Sequence, residues 1–165
     1  MNATRVYLSL GSNLEPERHL RLGVQELMRR YPNVVLSPVY RNAAVGFDGA
    51  DFLNLAVRCE VAGTLEQLLA DLETIHSLAG RTRGEQRFAD RTLDIDVLMY
   101  GEMIDDTPIE LPRPDLLKYS FVLKPMCDIA PDEVHPVTGR ALADHWVEWP
   151  SGDAGLEPVD LDLER

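Results

Sequence analysis

Asp94 and Asp96 stand two positions apart in the run Leu93-Asp94-Ile95-Asp96-Val97-Leu98, where apolar residues alternate with the acids. On an extended strand this spacing sends both carboxylates to one face, with Cα atoms roughly 6.5 Å apart. At ~5 Å and an effective dielectric near 20, two such charges repel by about 3 kcal/mol, and burial raises the penalty. A divalent cation removes it. Magnesium takes one or two carboxylates and completes its shell with water and phosphate oxygens, which is what such a pair can offer. An isolated Asp-x-Asp is also common on solvated strand faces, so the pair alone decides little.

The residues just upstream add a second requirement of phosphate chemistry. Arg81, Arg83, Arg87 and Arg91 crowd one short stretch, and guanidinium groups grip phosphate bidentately without ever losing their charge. The four-residue spacing of Arg83, Arg87 and Arg91 would suit a helix face. Gly80, Gly84 and the lack of an apolar stripe favour instead a mobile loop that ends at Arg91, beside the acidic strand. Phosphoryl transfer needs metal, cations on the migrating charge and exclusion of water; a closing arginine loop is expected to provide the last of these. On another segment Phe52 and Asn54 share a strand face, offering a ring to stack on a flat substrate and an amide to read its edge.

Composition narrows the alternatives. A net charge of −12 opposes wrapping nucleic acid, which requires a broad basic surface, and makes the arginine cluster a local anion site. The apolar runs are too short to span a bilayer and no signal pattern opens the chain, so a cytoplasmic protein is expected, with no membrane partner. Cys59 and Cys127 lie far apart in apolar segments and read as buried thiols. His19, His76, His135 and His145 show no ligand or triad spacing, and no Walker-type glycine loop is present. Trp146 and Trp149 read as packing residues.

The elements that must position these groups follow from periodicity. Residues 5–10 alternate as a strand, Gly11-Ser12-Asn13 turns the chain, and 16–30 carries Leu20, Val24, Leu27 and Met28 at helical spacing with Pro16 in its first turn. Residues 34–40 read as a strand with Pro38 at an edge or bulge, and 42–50 as a loop. Residues 52–61 form a strand with Leu53, Leu55, Val57, Cys59 and Val61 on one face and Phe52, Asn54, Ala56, Arg58 and Glu60 on the other. Thr64 caps a helix whose stripe is Leu65, Leu68, Leu69, Leu72 and Ile75, ending near Gly80. Residues 93–100 form the acidic strand, with Leu93, Ile95, Val97 and Met99 opposite the acids. A short extended piece at 109–111 and a helix over 120–129, stopped by Pro131, complete the pattern. The order β, α, β, β, α, β predicts an α+β, ferredoxin-like sandwich with an antiparallel sheet and additional C-terminal elements. One domain over 1–150 is expected, followed by an acidic, mobile tail over 151–165.

Several segments together resemble one family, the 6-hydroxymethyl-7,8-dihydropterin pyrophosphokinases, over roughly the first 135 residues. They are Val6-Tyr7-Leu8-Ser9-Leu10-Gly11-Ser12-Asn13-Leu14, Tyr40-Arg41 with Val45-Gly46, Phe52-Leu53-Asn54, Gly80-Arg81-Thr82-Arg83, Arg91 to Leu98, and Phe121-Val122-Leu123 with Pro125 and Ile129-Ala130-Pro131. The resemblance implies pyrophosphoryl transfer from ATP to a hydroxymethyldihydropterin in folate biosynthesis, by a protein expected to be a monomer. It implies two magnesium ions on Asp94 and Asp96, catalysis by these acids with Arg81 and Arg91, and nucleotide contacts from Arg81, Arg83, Arg87, Arg91, Val97 and Arg113. Asn42, Val45, Phe52, Asn54 and Phe121 would hold the pterin. The chain departs from the family pattern at Asp90 (usually proline), Arg113 (histidine), Tyr119 (arginine), His76 (glutamate) and Phe88 (a larger indole). A paralogue that binds pterin or nucleotide with little or no catalysis is the alternative these changes raise.

Overall fold

The structure is a computed structural model that describes residues 3–80, 90–150 and 155–164. Strand β1 (Thr4–Ser12) leads through helix α1 (Pro16–Arg30) to β2 (Val35–Leu36) and β3 (Val39–Asn42). Strand β4 (Phe52–Val61), helix α2 (Leu65–Leu78) and β5 (Asp94–Tyr100) follow. Helices α3 (Asp115–Lys118), α4 (Ser120–Ile129) and α5 (Leu142–Val147) and strand β6 (Glu157–Val159) close the chain.

The sheet runs β5-β1-β4-β3-β6, with β2 also on β4 and every pairing antiparallel. Without β2 and β6 this is the strand order of a ferredoxin-like sandwich, as the sequence pattern predicts. Local chemistry sets the boundaries. Pro16 opens α1, and a capping box between Thr64 and Gln67 opens α2. Gly80 follows α2 at φ +81°, a left-handed conformation that suits glycine after a helix end. Pro38 lacks the N–H a continuous strand needs, so the expected strand over 34–40 divides into β2 and β3. Ser37 bridges the gap: its N–H donates to the Ala56 carbonyl at 2.9 Å, and its hydroxyl accepts from the Ala56 N–H at 2.8 Å.

Alternation sorts the sheet residues onto two faces. Val6, Leu8, Leu10, Leu53, Leu55, Val57, Cys59, Ile95 and Val97 bury against Leu20, Val24 and Leu27 of α1 and Leu68, Leu72 and Ile75 of α2. The opposite face carries a second cluster, in which Tyr7, Ala56, Leu98 and Met99 pack beneath Leu116, Val122, Leu123, Met126 and Leu142. Met99 was expected opposite the acids, in line with Ile95 and Val97. The β1–β5 register slips between Tyr7 and Leu8, pairing Tyr7 with Met99 and Leu8 with Val97, and such a bulge moves Met99 to the other face. Helices α3 and α4 cover only part of this second face. The remainder, at the ends of β1, β4 and β5, is open.

Where it is described, the acidic C-terminal segment expected as a mobile tail lies docked on the body of the protein. Residues 157–159 add β6 to the edge of β3, Val39 pairing with Val159, and Leu156 and Leu163 are 7% and 2% exposed. Leu156, Val159, Leu161 and Leu163 supply apolar anchors among Glu157, Asp160, Asp162 and Glu164, whose charges stay in water while the apolar side chains dock. Helices α3 and α5 were also missed, being too short to show a period.

Candidate active site

Three adjacent strands bring the chemistry together by register. Gly11 of β1 lies between Asn54 of β4 and Asp94 of β5, and Ser9 lies between Ala56 and Asp96. Residues directly opposite in a sheet share a face, so the two acids, the serine and the asparagine all point away from α1 and α2. The glycine is required by proximity: a Cβ there would stand 2.6 Å from Asn54 Oδ1.

These residues line one cavity of about 160 Å³, together with Asn42, Val45, Phe47, Phe52, Arg91, Arg113, Asp115, Tyr119, Phe121 and Val122. At one end Asn54, 5% exposed, donates from its amide to Asn42 Oδ1. Phe52 meets Phe47 edge to face at 6.3 Å, and Phe121 stacks on Tyr119 at 5.0 Å and 21°. Flat rings beside a fixed amide suit a planar heterocycle with donors and acceptors on its edge.

The other end is ionic. Arg113 lies 3.6 Å from Asp96 and 3.2 Å from Asp115. The Asp96 side chain keeps 28% of its surface exposed, yet the acid is pushed up to about 7 by desolvation first and then by Asp94, with Arg113 opposing. This is the repulsion a divalent cation relieves. Among the described residues no group of three or more ligating side chains forms, and two carboxylates fit magnesium, which leaves the rest of its shell to water and phosphate.

Of the expected site residues, Asn42, Val45, Phe52, Asn54, Arg91, Asp94, Asp96, Arg113 and Phe121 meet in this cavity. Val97 does not: its side chain is 2% exposed in the core against α1 and α2, because alternation turns it away from its acidic neighbours. Arg81, Arg83 and Arg87 lie outside the described residues. His76, set aside as uninformative, accepts the Ile95 backbone N–H at Nε2 (2.8 Å), directly between the two acids. Only its departure from the family pattern marked it. Phe47 and Asp115 also join the site without a sequence signal of their own, while Tyr119, marked only as a departure from the family pattern, and Ser9, within the opening motif, line it as well.

Residues 7–131 match the model of the 7,8-dihydro-6-hydroxymethylpterin-pyrophosphokinase family. The chain is 38% identical over 136 residues to the 2-amino-4-hydroxy-6-hydroxymethyldihydropteridine pyrophosphokinase of Methylorubrum extorquens, covering 79% of this chain and 85% of that one. It is 36% identical over 145 residues to the folic acid synthesis protein fol1 of Pneumocystis carinii, covering 86% of this chain but only 20% of that protein. A Plasmodium falciparum HPPK-DHPS crystal structure with pteroate superposes with a TM-score of 0.72 at 11% identity, over 95% of this chain and 47% of the other, a likeness of fold. By the family match over most of its length and by its identity to a relative that it nearly spans, the chain belongs to the 7,8-dihydro-6-hydroxymethylpterin-pyrophosphokinase family.

Proposed function

We propose that this protein transfers a pyrophosphoryl group from ATP to 6-hydroxymethyl-7,8-dihydropterin, yielding AMP and the pterin diphosphate, a step of folate biosynthesis in the cytoplasm. One observation carries the reading: a single cavity joins an aromatic and amide end, suited to a pterin, to an acidic and guanidinium end, suited to a metal-bound polyphosphate. The pterin hydroxymethyl oxygen forms a bond to the β-phosphorus and loses its proton. The bond from that phosphorus to the α-phosphate bridging oxygen breaks, and AMP departs with the electron pair.

Asn54, held by Asn42, reads the pterin edge, while Phe52 and Phe121 flank its ring. Asp94 and Asp96 would hold two magnesium ions, which supply charge neutralisation on the polyphosphate. Arg91 and Arg113 place fixed positive charge beside the migrating group, with Arg81, Arg83 and Arg87 expected to contribute from the preceding segment. Strong general-base chemistry is not required of any side chain.

AMP release from purified protein supplied with ATP, magnesium and the reduced pterin tests this directly, and absence of AMP would refute it. A second reading, pterin or nucleotide binding without turnover, draws on Arg113, whose guanidinium already pairs with Asp96. Tight pterin binding with no AMP would favour that reading.

A further inference from the structure

The turn after β1 does more than reverse the chain. Asn13 is 4% exposed, and its side chain is fully engaged. Oδ1 accepts the Arg91 backbone N–H at 2.8 Å, while Nδ2 donates to the Asp90 carboxylate at 2.7 Å and to the Ala50 carbonyl at 3.1 Å. The backbone N–H groups of Asn13 and Leu14 both donate to the Arg91 carbonyl, at 3.1 and 3.2 Å. Both peptide groups of Arg91 are thereby tied to the end of β1. Gly49 packs into the same knot, where a Cβ would stand 2.8 Å from the Asp90 carboxylate.

The two segments joined here both line the cavity. Residues 43–51 contribute Val45 and Phe47 to its wall, and the segment before β5 contributes Arg91. We propose that Asn13 is a positioning residue, which through Asp90 and Ala50 fixes the 43–51 loop and Arg91 at a set separation. The inference rests on the reading of this cavity as the transfer site. The carboxylate acceptor belongs to this chain, since the family resemblance puts a proline at position 90. An amide donating to a carboxylate makes a charge-assisted bond, and displacement of a reacting group by 1 Å can lower a rate by about a hundredfold.

Asn13→Asp keeps the acceptor for Arg91 but removes both donors and faces Asp90 with a like charge. It is expected to lower kcat for AMP release by about 10 to 100-fold, with the KM for ATP changed less than about threefold. Adding Asp90→Asn returns a donor to the pair from the opposite side and is expected to recover about tenfold of the loss. A purely structural role predicts no such recovery, so a double variant no faster than Asn13→Asp would overturn the proposal. Peptide-level amide exchange supplies a readout that does not need turnover. Asn13→Asp is expected to speed exchange both in the 43–51 peptide and around Arg91, and Asp90→Asn to slow it again. If the wild-type protein released no AMP, the proposed activity would fail while exchange still decided this point, and unchanged exchange in Asn13→Asp would overturn the coupling.

Discussion

Asp96→Asn is expected to make the protein more stable and far less active. In the folded protein the acid is pushed up to about 7, from an ordinary 3.8, because burial and Asp94 outweigh the help from Arg113. At about 1.36 kcal/mol for each pH unit of that gap, the folded-state penalty has a ceiling of about 4 kcal/mol. Solvent reaching the 28% exposed side chain and loss of the Arg113 pair reduce the net gain to about 1–3 kcal/mol. For a chain of this length that raises Tm by about 3–9 °C.

The sign follows from the raised folded-state pKa. Below about pH 4 the carboxyl is protonated in both folded and unfolded chains, and the variant gains nothing. The wild-type penalty grows as pH rises towards about 7 and is constant above it. Thermal melts in EDTA at about pH 4 and about pH 8 measure the difference, with AMP release expected to fall at least about a hundredfold in the same variant. Magnesium is expected to narrow the stability gap by stabilising the wild type. A variant less stable than wild type at about pH 8 in EDTA, or an equal gain at both pH values, would refute the reasoning.

Asn54→Ala is expected to raise the KM for pterin by about 10 to 100-fold, with the fold retained, because a buried amide that reads the substrate edge is lost; unchanged pterin affinity would remove Asn54 from the site. Gly11→Ala forces a Cβ to within 2.6 Å of Asn54 Oδ1, so about 1–3 kcal/mol of destabilisation and weaker pterin binding are expected together in melts and titrations. Leu163→Ala is expected to destabilise by about 2–4 kcal/mol, since Leu163 is 2% exposed in the α1/α2 core; a melt indistinguishable from wild type would mean that the C-terminal segment does not dock.

The ferredoxin-like order was legible because each core element obeys one strong local rule. The stripes of α1 and α2, the alternation of β4 and the termini at Pro16, Thr64 and Gly80 are written in neighbouring residues. Asp94 and Asp96 were likewise readable, since a two-residue spacing on a strand dictates a shared face. The same rule turns the Val97 side chain into the core. Short helices and β6 escaped because three to six residues carry no usable period, and acidity hid the four anchors of the C-terminal segment.

The sequence by itself determined which groups this protein owns and which face of its own strand each occupies, because backbone geometry fixes side-chain direction over a few residues. Which groups meet was left to the tertiary structure. The register of β1 against β4 and β5 sets Gly11 between Asn54 and Asp94, and Asn13 ties together two loops more than thirty residues apart along the chain. Those distances depend on strand pairing and burial across the whole fold, which no local pattern encodes.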